Sequence, residues 1–329
     1  MPLFRRGDPA GGGPGEDPAA ARQRLAAEQA RQERDQHLLE SGRLPLGAAE
    51  RLARVGGSGD GLAFSSDLAP DEAGLLRRHG LQPVSLVTGS CMYHVGIAYA
   101  SAYHDCEVSQ LSGAYNEASR LAVARMQMEA QAVGAHGVVG VRYSIVRHEW
   151  ADKSVEVQVV GTAVRAAGPA PSTPWLCDLS GQDWWALHRA GYEPAALAYG
   201  HCTWFVLTTQ SDEWIGQNFR NQEYDHFSQA LSQCRTRAVQ HMRQMARDIG
   251  ALGVTGVHIS RRLDEVRLTG SGENPVYEFE HHNLVLSMIG TAIRLRPDAP
   301  RAVPASQMVL SLRSGRLESR VGAAEAGFA

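Results

Sequence analysis

The chain lacks a surplus of charge of either sign. Its 329 residues carry 32 Lys and Arg against 35 Asp and Glu, a net charge of -3. That balance writes in no basic patch of the kind that nucleic acid or an anionic membrane attracts. No run of about 18 uncharged apolar residues occurs, so no segment is predicted to span a membrane. The start, Met1–Pro9, has no apolar core and does not read as a secretory signal. Five cysteines, an odd number, do not suggest a disulfide framework, and a reducing cytoplasm is the expected compartment. Nucleophilic catalysis also lacks its parts: there is no Gly-x-Ser-x-Gly elbow and no Cys/His/Asn set that repeats. The acidic pairs Asp71/Glu72, Asp212/Glu213 and Asp264/Glu265 fall in predicted turns or helix starts, where solvated carboxylates are common. The chain therefore reads as a non-enzymatic protein. Its 43% hydrophobic content is enough for ordinary globular cores.

What the chain does have is repetition. Gly134-Ala135-His136-Gly137-Val138-Val139-Gly140-Val141 returns as Gly250-Ala251-Leu252-Gly253-Val254-Thr255-Gly256-Val257. Gly161-Thr162-Ala163-Val164-Arg165 returns as Gly290-Thr291-Ala292-Ile293-Arg294. Upstream, Gly80 and Pro83 match Gly191 and Pro194, while Gly89 and Cys91 match Gly200 and Cys202. Matches in the same order point to two copies of one domain of roughly 100 residues, not to a solenoid of short repeats.

Periodicity supports that reading separately from identity. Ala118, Ala122, Met126, Ala130 and Val133 fall at steps of three and four, the spacing of one helix face. Cys234, Ala238, Met242, Ala246 and Ile249 repeat the pattern. The first copy is predicted to run through a short helix (Pro70 to His79), a strand from Val84 to about Ala100, and a long helix from about Gly113 to Val133. A strand from Val138 to Ile145 and a closing strand with alternating Val155, Val157 and Val159 complete it. The second copy follows the same order, with a longer loop from Leu263 to Tyr277. The fold class is thus α+β: two tandem small α/β domains, each a short sheet packed by one long helix. The divisions are an N-terminal extension (1–64), copy one (65–168), copy two (169–297) and a C-terminal tail (298–329). The extension is predicted to be disordered to about Pro18, then helical over Ala19–Leu39 and Leu46–Val55. The glycine run from Gly56 to Gly61 lacks a preceding strand and a following Lys, and reads as a linker.

These residues carry a family resemblance. A Gly-x-Cys strand opening, a helix with Ala-x-x-x-Met, the Gly-Ala-x-Gly-Val-x-Gly-Val motif and a closing Gly-Thr-Ala together resemble the YbjQ-like domain, labelled "putative heavy-metal-binding". The resemblance covers both copies. It implies a small α/β domain that assembles into rings, often pentameric, and supplies no catalytic residues. Its label implies a divalent or soft metal ion. The tandem arrangement and the long N-terminal extension depart from the family's single-domain pattern.

Three functional readings follow. In the first, Gly137, Gly140, Gly161, Gly253, Gly256 and Gly290 serve close packing, or a subunit or ligand contact made by bare backbone. The copies then self-associate, as a homo-oligomer or an intrachain pseudo-dimer. In the second, Cys91, His94, His104, Cys106, His201 and Cys202 are the candidate ligands of a Zn- or Cu-type ion. Only Cys91 and Cys202 repeat between copies, and residues three apart on a strand, as Cys91 and His94 are, face opposite sides. In the third, the aromatic residues of copy two (Trp184, Trp185, Tyr192, Tyr199, Trp204, Phe205, Trp214, Phe219) line an interchain pocket for a small molecule.

Overall fold

In a computed structural model of the chain, the residues described are 18–41, 43–56, 65–96, 104–147, 154–217, 220–266, 281–297, 309–310 and 319–320. In chain order the elements are α1 (Pro18–Glu40), α2 (Leu46–Gly56), α3 (Pro70–Arg78), β1 (Gln82–His94), β2 (Cys106–Glu107) and α4 (Ser109–Ala132). Next come β3 (Gly137–Arg147), β4 (Ser154–Arg165), β5 (Trp175–Leu176), α5 (Gly181–Arg189), β6 (Tyr192–Val206) and α6 (Gln210–Gly216). The remainder are α7 (Asp225–Asp248), β7 (Gly253–Val266), β8 (His281–Leu295), β9 (Val309–Leu310) and β10 (Ser319–Arg320). Mixed helices and sheets make this an α+β fold.

The chain divides into two compact units whose boundaries cross the sequence order. The first takes residues 1–69, 77–98 and 110–175; the second takes 70–76, 99–109 and 176–329. Segment 99–109 therefore belongs to the unit built mainly from the later sequence. The sheet of the first unit has strand order β1-β4-β3-β5, and that of the second has β2-β6-β8-β7. The three long strands of each sheet follow the same order and pair antiparallel. Their irregularities match too. The register slips between Val139 and Arg142 and again between Thr255 and His258, and between Pro83 and Ser85 and again between Pro194 and Ala196. Gly140 (φ 62°) and Gly256 (φ 66°) occupy the first pair of bulges, where the left-handed backbone excludes a comfortable Cβ.

The long helices pack as their periodicity predicts. Ala118, Ala122, Met126 and Ala130 of α4 are buried, and so are Cys234, Ala238, Met242 and Ala246 of α7. Small residues on this stripe bring the helix backbone down onto the sheet, and the strand below answers with glycine. A Cβ built on Gly89 would lie 1.9 Å from the Ala122 carbonyl oxygen, and one on Gly200 would lie 2.1 Å from that of Ala238. Ile249, predicted to continue the stripe, is exposed, because it stands past the last turn of α7 at the cap.

The helical extension is held by charge. α1 is mostly exposed, in keeping with its thin apolar side. It hands over to α2 through the Leu46 N–H, which donates to Asp35 Oδ1 at 2.7 Å. α2 buries Leu52 and sends Arg51 to Glu129 on α4, at 2.5 Å. The same Glu129 oxygen accepts the Thr88 N–H of β1 at 2.7 Å, so one buried carboxylate binds helix, strand and extension.

Some expected boundaries move. β1 ends at His94 and not near Ala100, and residues 97–103 lie outside the described set. α4 starts four residues earlier than expected, and β7 continues to Val266, into the predicted loop from Leu263. The rest of that loop, the glycine run after Gly56 and residues 1–17 also lie outside the described residues. β2, β5 and α6 have no counterpart in the sequence reading.

Alanine at position 89 or 200 tests the helix-to-strand contact. Neither neighbour can yield cheaply, since each is backbone inside a helix. Overpacking typically costs about 1–3 kcal/mol, which lowers the melting temperature by roughly 2–4 °C per kcal/mol in units of this size. Calorimetry of Gly89→Ala and Gly200→Ala should show losses of that order or larger, similar in the two variants. Wild-type melting of either one would remove the close contact from the account of the fold.

Candidate functional site

The glycine motif builds the same lock in each unit. Gly134 (φ 64°) and Gly250 (φ 66°) close the long helices in the left-handed conformation. Six residues later comes the bulge glycine, Gly140 or Gly256, and the third element is the closing strand's Gly-Thr-Ala. Thr162 and Thr291 are both fully buried. The Thr162 hydroxyl oxygen accepts the Asp67 N–H at 3.0 Å, and that of Thr291 accepts the Asp178 N–H, also at 3.0 Å. Each Asp opens the short segment leading to the next helix, and the Leu that follows sits against the bulge glycine. Leu68 approaches Gly140, and Leu179 comes within 2.7 Å of where a Cβ on Gly256 would stand. The first unit completes the lock with an Arg142–Asp67 ion pair at 2.7 Å. In the second, burial raises the Asp178 carboxyl above its ordinary range, partly offset by the Thr291 hydrogen bond and by His258. The repetition of the Gly-Thr pair was the sequence signal for this lock; the Asp and Leu near the start of each copy were the part it missed. Gly161 and Gly290 pack closely as well, against Val138 and against Val254 and the Thr255 carbonyl.

The candidate metal ligands are spread out. Cys91 is buried under α4, while His94, three residues on, is exposed at the strand end. Burial pushes the Cys91 thiol up from its ordinary value, which keeps its proton on at neutral pH. His104 is exposed, and Cys106 lies in β2 opposite Phe205 of β6. Cys202 is buried in the core beneath α7, where its carbonyl accepts the Cys234 thiol at 3.3 Å. His201 is buried beside it in sequence on β6, with its ring stacked on Tyr199 at 5.8 Å. Among the described residues no three His, Cys, Asp or Glu side chains converge in a way that could hold a metal ion. As described, these residues do not fit a coordination sphere for a heavy metal, which needs about four converging donors.

A different polar cluster was not expected. His226, in the first turn of α7, lies 2.6 Å from Asp105 through Nε2 and 3.3 Å from Asp212 through Nδ1. Asp105 also accepts the Leu207 N–H at 2.9 Å. Asp212 is buried, and it caps the start of α6 by accepting both the N–H and the hydroxyl of Thr209. The expectation of a solvated carboxylate fails at Asp212, because the helix start it caps is folded under His226. The cluster fastens the loop before β2 and the one before α6 to α7, and so holds β2 against β6.

β7 forms one edge of the described sheet, and it is unlike its counterpart β3. Val141 is 4% exposed, but the matching Val257 is 38% exposed. Leu252, Ile259 and Leu263 are 64%, 57% and 51% exposed. A cleft of about 440 Å³ adjoins this strand, lined by Tyr224, Phe227, Leu231, Arg261, Leu263 and Leu284. The aromatic residues named from sequence do not line it. Trp184 is buried and stacks on His188 at 5.1 Å, Phe205 is buried edge-on to His281, Trp214 is exposed, and Phe219 lies outside the described residues. An exposed edge strand with apolar side chains is a template for pairing with another strand. No described helix is long and apolar enough to cross a membrane.

Comparison with known proteins agrees with this geometry in two steps. Residues 86–167 match the model of the YbjQ_1 family, described as "Putative heavy-metal-binding". They span most of β1, all of α4, β3 and β4, and the first unit's Gly-Thr pair. The chain is also 35% identical, over 255 residues, to the "Encapsulin nanocompartment protein Rv1762c" of Mycobacterium tuberculosis, an alignment covering 71% of this chain and 95% of that protein. The chain belongs to the family of this mycobacterial protein.

His201 gives a pH test of the second unit's core. Burial, with a smaller contribution from His241, pushes its pKa down to about 3. A histidine held neutral in the native state and free to protonate when unfolded stabilises fully above the unfolded pKa of about 6.5. That stability is lost as pH falls from there toward 3, amounting by pH 5 to about 2 kcal/mol. His241, also depressed by burial, acts in the same direction. The melting temperature of wild type should therefore drop between pH 7.5 and 5. His201→Ser, which installs the residue found at the matching Ser90, should flatten that drop. An equal slope in wild type and variant would place the acid sensitivity elsewhere.

Proposed function

We propose that this protein is a non-enzymatic, self-associating protein built from two YbjQ-like domains, 65–168 and 169–297, and that it works as a component of a protein nanocompartment. The match at residues 86–167 supports the first domain directly. Support for the second is the same three-strand order, the same bulges, the same helix-to-glycine contact and the same Thr-to-Asp lock. The link to a nanocompartment comes from the name of the mycobacterial relative, aligned over nearly its whole length. The observation that carries self-association is the β7 edge, where Leu252, Val257, Ile259 and Leu263 leave apolar surface exposed on the side that no other described strand pairs. The motif residues, including the six glycines, act in this reading as packing elements and not as a reaction centre.

Native mass spectrometry of the full chain at about 10 µM, a concentration at which specific assemblies persist, should give species of more than one chain. The same spectrum reports any retained metal or organic ligand. Ile259→Lys places a charge on the edge, the device by which natural edges refuse partners. It should shift the population toward single chains without lowering the melting temperature, since Ile259 is already exposed. A wild-type protein that is strictly monomeric would overturn the assembly reading.

A further inference from the structure

The two edges that match between the units differ in one respect: one is covered. In the first unit, β5 lies beside β3, and the Trp175 N–H donates to the His136 carbonyl at 3.2 Å. The indole of Trp175 lies against Gly137, so that a Cβ on that glycine would be 2.1 Å from the ring. In the second unit the matching residues are Leu252 and Gly253. Leu252 is largely exposed, and no described residue stands within 4 Å of a Cβ on Gly253. What covers the first edge is Trp175, which heads the stretch Trp175-Leu176-Cys177-Asp178-Leu179. The sequence leading into the first domain has the same form: Phe64-Ser65-Ser66-Asp67-Leu68. Asp67 and Asp178 occupy equivalent places, each donating its N–H to the buried threonine of its own unit. Counting back from them, Phe64 falls at the place of Trp175.

Resting on the self-association reading above, we infer that the chains join head to tail, Phe64 of one copy seating on Gly253 of the next and extending its sheet beyond β7. The Phe64 N–H bonds the Leu252 carbonyl, as Trp175 bonds His136. The rule inside one chain is that the segment entering a domain covers the edge of the domain before it. Applied between chains, it leaves no β7 edge bare except at an open end. A second exchange crosses the same junction in the opposite sense. In the second unit, β2 comes from the loop before α4 and borders β6, with the Val108 N–H donating to the Thr203 carbonyl at 2.9 Å. Aligning α4 with α7 places Tyr224 at the position of Val108, and Tyr224 is exposed where Val108 is buried. Its acceptor is Met92 of the chain whose Phe64 seats on this one; Met92 matches Thr203 and lies on the outer edge of β1. Nearer the start of β1 the outer backbone is already engaged by side chains: Ser65 and Arg51 at Leu86, Glu129 at Thr88 and Arg125 at Ser90. Met92 lies beyond this protected stretch and is 51% exposed. Such an interface is heterologous, so it builds a ring if the rotation closes and a filament if it does not.

The test uses two variants of the full chain. Phe64→Asp removes the aromatic anchor but leaves the Gly253 seat intact. Gly253→Val fills the seat but leaves Phe64 free; it meets no described neighbour and requires no left-handed backbone, so it should melt like wild type. Each variant alone should associate at least about tenfold more weakly than wild type, the loss expected on removing a central aromatic anchor. Mixed one to one, they should form heterodimers and stop there, because only one seat and one anchor remain active. Wild-type assembly in both single variants would overturn the head-to-tail contact and leave self-association standing. Dissociated variants that do not complement each other would overturn it as well. A wild-type chain that is monomeric, and associates only when residues 298–329 are removed, would give the seat to the chain's own tail and overturn both readings.

Discussion

The contact on which both units depend is between a helix backbone and a strand backbone with almost nothing between them. Gly89 lies under Ala122, and Gly200 lies under Ala238. Such a close approach sets the height of the helix over the sheet and so decides which other side chains can fit the layer. Alanine, serine and cysteine line the helix face, methionine fills the larger gap one turn on, and valine covers the strands. A thin core of this kind gains little from any one large side chain. It must gain from many short contacts at full packing density, so small errors of volume are felt. The paired bulges at Gly140 and Gly256 belong to the same economy of space, since they turn β3 and β7 toward the segment that carries Asp67 or Asp178.

Much of this was legible from residue spacing. The long helices showed themselves because their stripes recur at three and four, and because a glycine with no alternative conformation ends each one. The closing strands showed themselves by alternation. What spacing does not reveal is any element whose reason lies in another part of the chain. β2 and β5 are two residues each, too short to carry a period, and they are extended only because β6 and β3 offer them hydrogen bonds. Asp212 looked like a solvated helix start because its sequence neighbours are polar, while the residue that buries it, His226, stands fourteen positions away. The metal reading has the same weakness in reverse. Cys91 and Cys202 repeat, but each sits beneath its own helix, where a small apolar side chain is what the glycine-lined layer requires.

Matching residues in the two units also show that similar sequence does not fix environment. His136 and Leu252 hold the same place after the same helix cap, yet one accepts the Ala166 N–H through its ring and the other points into solvent. Arg142 and His258 both face the aspartate of the lock, one as a guanidinium in an ion pair and the other as an imidazole. The scaffold is kept, while the groups around its edges differ in charge, size and exposure. Those edges are where two copies of one design can take up different tasks.

The division of the chain into units has a consequence for how the protein is made. Residues 70–76 and 99–109 leave the ribosome long before the rest of the second unit, and they remain without their strands until β6 and α7 have followed. The first unit, in turn, cannot close its β3 edge until Trp175 has been synthesised. The first half is not complete when its own copy of the sequence ends, and the second draws on segments made before its copy begins. Folding is therefore not a simple succession of first domain and then second, as it is for most tandem proteins. The nascent chain must keep an early segment in reserve: the first unit becomes whole once Trp175 has been made, and the second only after β8 has followed.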